Sequence, residues 1–163
     1  MGFEKAGGLE HLYIEHIASA VRLGYLMTGD EQQAKDIAQD AFVKVAGRFH
    51  GLRDPAAFPA YLRTTVINMS RGHLRRLKTQ RAYLARQKGS DAVTAGPDIE
   101  GQDEMWRAMR LLPARQRAAL VLRYYEDLSE RQIADALGSS ESAVKSLLTR
   151  GLKELRAQMR GEA

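Results

Sequence analysis

Three groups of polar side chains in this sequence stand at helical spacing with a chemistry in common. Ser140, Ser142, Lys145, Ser146, Thr149 and Arg150 lie close together near the C-terminus. Small hydroxyls there can meet a groove edge at short range, while the cations beside them can neutralise phosphates. Further upstream, Thr64, Asn68, Arg71, Arg75 and Lys78 project to one side of a helix. That spacing can follow one phosphate backbone, and Asn68 offers a base both a donor and an acceptor. The third group is different: Asp36, Gln39 and Asp40 surround the β-branched Val43 on a face turned away from an apolar stripe. Acceptors around an exposed aliphatic suit protein docking, although single exposed aliphatics also occur without a partner. Catalytic and metal chemistry find little material. The chain has no cysteine, its histidines (His11, His16, His50 and His73) lack the spacing of a metal motif, and the basic segment holds one acid, Asp54. No metal, no cofactor and no catalytic residue is expected.

Charge is sorted along the chain. Within a total of +5 over 163 residues, residues 1–47 carry −3, residues 48–88 carry +9, residues 89–104 carry −5 and residues 105–163 carry +4. Two basic surfaces for a polyanion, an acidic N-terminal surface for something else and an acidic spacer would produce this pattern; so, more blandly, would solvated charge. GSDAVTAGPDIEGQDE, residues 89–104, has too few large aliphatics for a buried face and reads as a linker. The expected organisation is all-α, with two small helical domains, 1–88 and 105–163, joined by a flexible acidic linker, 89–104. No apolar run approaches the roughly 20 residues that cross a bilayer, and MGFEKAGG lacks the apolar centre of a secretory signal, so no membrane insertion and a cytoplasmic location are expected.

The elements that must position these side chains follow from periodicity. Ile14, Ile17, Ala18, Val21 and Tyr25 mark a core helix that stops at Thr28-Gly29. Asp30 then caps a second helix, with Gln33 three residues on, whose buried stripe is Ala34, Ile37, Ala38, Ala41, Phe42 and Val45. Asp54-Pro55 reads as a further helix start, with a broken turn expected at Pro59. A long helix to about Gln87 buries Leu62, Val66, Met69, His73, Leu77 and Leu84. On that inner stripe His73 reads as a core or boundary histidine. Trp106, among Met105, Met109 and Leu112, is expected in the core. LSERQIADALGSSESAVKS then folds as two helices around a corner: Ser129 and Gln132 form a capping box, Gly138 takes the left-handed conformation, and Ser140 caps the second helix. This is a helix-turn-helix, although an ordinary helical hairpin shares some of its signals.

Together these segments resemble the sigma-70 family of transcription initiation factors, of the extracytoplasmic-function type, from about Tyr13 to Arg156. DIAQDAFVKV resembles the family's polymerase-binding helix, FPAYLRTTVINMSRGHLRR its −10 segment, and LLPARQRAALVLRYYEDLSERQIADALGSSESAVKS its −35 domain. The resemblance implies that Asp36, Gln39, Asp40 and Val43 dock on the clamp helices of core RNA polymerase, the flap being a second contact. It implies that Arg63, Thr64, Asn68, Arg71, Arg75, Arg76 and Lys78 bind the −10 element. The loop Arg48 to Phe58 would grip an unstacked base. Ser140, Ser142, Lys145, Ser146, Thr149 and Arg150 would bind the −35 element of promoter DNA. An anti-sigma factor is a further partner that the family admits. The chain departs from the family pattern at Tyr61, where tryptophan is frequent, at Gly72 in place of aspartate, at Ala143 in place of threonine, at Leu147 in place of arginine, and in having Pro59.

The expected function is thus promoter-specific initiation as a non-enzymatic polymerase subunit. A free-standing helix-turn-helix regulator, whose N-terminal half dimerises or senses a ligand, is the alternative. It would bind duplex DNA tightly by itself. A nucleic-acid-processing enzyme is poorly supported, because paired carboxylates or clustered ligands are missing from the basic segment.

Overall fold

The computed structural model describes residues 2–49, 55–88 and 104–161, and every regular element among them is helical. The expected linker falls outside the described residues except for Glu104, as do residues 50–54 of the loop from Arg48 to Phe58, among them His50 and Asp54 as a cap. The first bundle consists of α1 (Gly2–Thr28), α2 (Glu31–Phe49), a 3-10 turn (Pro55–Ala57) and α3 (Phe58–Lys88). Its first corner is built as the sequence suggests. Thr28 Oγ1 donates to the Gly24 carbonyl at 2.8 Å, Gly29 turns the chain at φ 68°, and the Asp30 carboxylate accepts the Gln33 amide at 3.1 Å to open α2. A Cβ on Gly24 would lie 3.3 Å from Ala34 Cα, so a small residue on each helix allows α1 and α2 to approach closely.

All six stripe residues of α2 are buried, against Leu23 and Met27 of α1 and Phe58, Leu62, Val66 and Ile67 of α3. Phe58 has no exposed surface and meets Phe42 edge-on at 5.6 Å. The α1 stripe differs from the expected one. Ile14 is 69% exposed and Ala18 is exposed, whereas Ala20, Leu23 and Met27 carry the burial. Two apolar stripes run side by side along α1, and the partner helices cover the second. Leu84 is exposed too, and Met69, His73 and Leu77 are only half-buried, because α3 runs on past the residues that could cover it. Pro59 does not break α3. It stands in the first turn, where a missing amide costs no intrahelical bond, and the irregular turn comes before it at Pro55–Ala57.

The second bundle holds α4 (Glu104–Arg110), α5 (Ala114–Leu120) continued by a π turn (Val121–Tyr125), α6 (Glu130–Leu137) and α7 (Glu141–Met159). The π turn, with Glu126 donating to the Val121 carbonyl at 3.1 Å, has no counterpart in the periodicity, and Asp127 just beyond it holds φ 55°. Tyr125 is exposed, as is Met105 at the start of α4. Leu120, Leu122, Ile133, Leu137, Val144 and Leu148 form the core. A Cβ on Gly151 would lie 3.2 Å from Leu120 Cδ1, so this glycine lets α7 lie against α5. The two bundles pack against one another, and their buried side chains form one continuous cluster. No helix among the described residues is long and apolar enough to cross a membrane.

Candidate nucleic-acid interface

The helix-turn-helix is assembled by its own caps. Ser129 Oγ accepts the Gln132 amide at 3.2 Å while the Gln132 side chain accepts the Ser129 amide at 2.9 Å. Gly138 closes α6 at φ 62°, and Ser140 Oγ accepts the Ala143 amide at 3.1 Å to open α7. With Val144 and Leu148 turned inward, Ser140, Ser142, Lys145, Ser146, Thr149 and Arg150 all stand exposed on one outer surface. Lys145 has one loose ionic neighbour, Glu130 at 3.9 Å. Leu147 is partly buried against the core, so hydrophobic packing accounts for it at a position where the family has arginine. The structure adds Arg115 to this surface: its guanidinium donates to Ser139 Oγ at the corner between the helices.

On α3, Asn68, Arg75, Arg76 and Lys78 are exposed and Thr64 is half-buried. Gly72, Arg75, Arg76, Thr79, Gln80 and Tyr83 line an open groove along this face. A Cβ at Gly72 would lie 3.6 Å from Arg76 Nη1, so the guanidinium folds over a position left bare by the missing side chain. Thr79, Gln80 and Tyr83 of this lining stand beyond the segment Phe58 to Arg76 that carries the resemblance. Arg71 is half-buried, and its pKa is held below the ordinary value by desolvation, then by repulsion from Arg115 and Arg75. The fold thus gathers cations from both bundles on one side. Arg63 does not join them: its Nε is paired with Glu126 of the second bundle at 3.3 Å.

The α2 face stands apart from these cations. Asp36, Gln39 and Asp40 are exposed around Val43, which is 68% exposed. Gln32 Nε2 donates to Asp36 Oδ1 at 3.1 Å, and Gln39 donates to the Tyr13 hydroxyl, so α1 steadies part of the face. Among the described residues, no three or more of His, Asp and Glu come together as a metal site.

Comparison with known proteins places both halves. Residues 12–80 match the family model for sigma-70 region 2, and residues 102–155 that for sigma-70 region 4. The RNA polymerase sigma-E factor of Streptomyces antibioticus is 31% identical over 130 residues, which cover 80% of this chain and 72% of that protein. The ECF RNA polymerase sigma factor SigW of Bacillus subtilis is 26% identical, over 85% of this chain and 82% of that one. The chain belongs to the sigma-70 family, of the extracytoplasmic-function type. As an RNA polymerase sigma factor it directs promoter-specific transcription initiation, and sigma factors are initiation factors without catalysis of their own. The sigma factor RpoE of Bartonella quintana, solved with the anti-sigma factor NepR, shares its fold at a TM-score of 0.69 and 17% identity, covering 94% of this chain and 98% of that one.

Proposed function

We propose that this sigma factor divides its work as follows. Residues 1–88 dock on core RNA polymerase and engage the −10 element, residues 89–104 act as a spacer, and residues 105–163 engage the −35 element. Asp36, Gln39, Asp40 and Val43 meet the clamp helices. Thr64, Asn68, Arg71, Arg75, Arg76 and Lys78 hold the −10 region, Arg63 being paired with Glu126 instead, and the exposed face of α7 from Ser140 to Arg150 reads the −35 duplex. The chain itself catalyses nothing and works where polymerase works, in the cytoplasm. An anti-sigma factor, of the kind solved with the Bartonella protein, is a further partner.

The observation that carries this reading is the exposed α2 face. Its acids and Val43 lie opposite a buried stripe, on a molecule whose outer faces on α3 and α7 carry cations. A self-sufficient DNA-binding protein has no need of such a surface, whereas a subunit carried to DNA by a larger enzyme does. Gel filtration with core polymerase tests it: the sigma factor should co-elute, and alone it should retard promoter duplex only weakly. Tight duplex binding by the isolated chain without co-elution would favour a free-standing regulator.

A further inference from the structure

The far half of α3 carries charge that nothing on the same helix neutralises. From Arg71 to Lys88 the sequence holds seven Lys or Arg and no Asp or Glu. Two of these cations converge. A Cβ at Gly72 would lie 3.6 Å from Arg76 Nη1 and 4.0 Å from Arg75 Nη2, so both guanidiniums fold over the bare backbone of that residue. Neither is ion-paired among the described residues. Like charges repel at this range, and a carboxylate at position 72, where the family pattern has aspartate, would stand within ion-pairing reach of both. Glycine leaves the pair its charge and lets an anion approach both forks, the arrangement in which Arg holds phosphate.

The groove continues from that point along one helical stripe. Thr79, Gln80 and Tyr83 extend it, all exposed and all able to donate a hydrogen bond without carrying charge. Gln87 Nε2 donates to the Tyr83 hydroxyl at 2.9 Å and holds the ring in place. From Gly72 to Tyr83 α3 rises about 16 Å at ~1.5 Å per residue, the length of about five base pairs at ~3.4 Å each. Guanidinium, hydroxyl and amide groups in one row are the set that holds successive phosphates of a strand. The match to sigma-70 region 2 stops at residue 80, short of Tyr83. Beyond Lys88 the sequence leads through residues 89–104 to the bundle assigned to the −35 element, so the DNA next to this end of α3 is the spacer between the two elements. We propose that Gly72, Arg75 and Arg76 form a phosphate site which Thr79, Gln80 and Tyr83 prolong, so that α3 holds one backbone strand of the spacer duplex beside the −10 element. This rests on the sigma reading above and adds a contact outside both elements. It strengthens binding without reading sequence, and Gly72 sets its strength by withholding the carboxylate that would neutralise it.

Gly72→Asp tests the charge, and Gly72→Asn, of the same size, tests the space. For the isolated chain on a duplex of arbitrary sequence, Gly72→Asp should lower the salt slope of binding by about 1, the loss of one phosphate contact, while Gly72→Asn leaves it unchanged. With core polymerase on a promoter that the wild-type chain selects, single spacer phosphates within about five base pairs of the −10 element are then replaced by uncharged methylphosphonates. Wild-type binding should weaken several-fold at these positions and not further along the spacer. Gly72→Asp should lose the sensitivity nearest the −10 element, and Tyr83→Ala that at the far end. Equal losses from Gly72→Asn and Gly72→Asp overturn the phosphate site. A lowered salt slope with no spacer position singled out overturns its placement on the spacer. Should Gly72→Asp lose its helical circular dichroism, Arg75→Gln combined with Arg76→Gln removes the same charge, with the same outcomes. A wild-type chain that gives no promoter-specific transcripts with core polymerase would refute the sigma reading instead, whatever the salt slope.

Discussion

Gln39 and Asp40 lie exposed on α2, so their replacement leaves the core intact and removes one surface hydrogen bond, from Gln39 to the Tyr13 hydroxyl. Gln39→Lys combined with Asp40→Lys should leave the melting temperature nearly unchanged and weaken binding to core polymerase at least tenfold, measured by fluorescence anisotropy. Unchanged affinity would remove this face from the docking surface. His73 provides a second test at the same scale. Desolvation is the main cause that lowers its pKa below 6.5, Arg76 adds repulsion, and Asp30 at the start of α2 partly offsets both. The unfolded chain therefore binds the proton more readily than the folded one. Stability should fall as pH drops through 6.5 toward the folded value, and His73→Gln should flatten that part of a melting-temperature profile. Individual side chains were legible where local chemistry decides them, as with the three cap residues Asp30, Ser129 and Ser140. They were not legible where a distant partner decides: nothing near Arg63 in sequence points to Glu126, and nothing near Arg117 points to the Met27 carbonyl.

At the level of elements, the helix-turn-helix rests on short-range geometry, which explains why its caps, glycine corner and buried stripe were readable in advance. Ser129→Ala removes one half of the capping box and should cost about 1 kcal/mol in a denaturant titration. A loss below a few tenths would mean that tertiary packing alone holds α6. Readout and anchoring should separate along α7. Ser142→Ala or Ser146→Ala should change preference at individual −35 positions, whereas Lys145→Ala should weaken all sequences alike and reduce the salt slope by about 1. A uniform loss from the serine changes would count against base reading. The long helices were less legible in which of their apolar residues find cover. Amphipathic spacing located α1 and α3, but it could not show that Ile14 and Leu84 lie where no other helix covers them. The π turn at Val121–Tyr125 carries no simple periodic signal, because its apolar residues continue the spacing of α5.

For the whole molecule, charge segregation and the order of segments were enough to indicate two helical units with different surfaces. How the units meet was hidden, since Trp106 reads equally as a core residue of its own bundle and as a plug for the α1–α2 corner it fills. That contact makes the sigma factor one body with an outward docking face on α2, an exposed reading helix in α7 and cations of both bundles on a shared side. Promoter selection for polymerase is the work this arrangement of surfaces supports. It is tested most directly by mapping transcript starts from a randomised promoter library transcribed by core polymerase with and without the purified chain. Sigma function requires a new set of starts with shared sequence at both −10 and −35, absent from core enzyme alone and lost with the Gln39→Lys, Asp40→Lys protein; a start profile indistinguishable from that of core enzyme would contradict it.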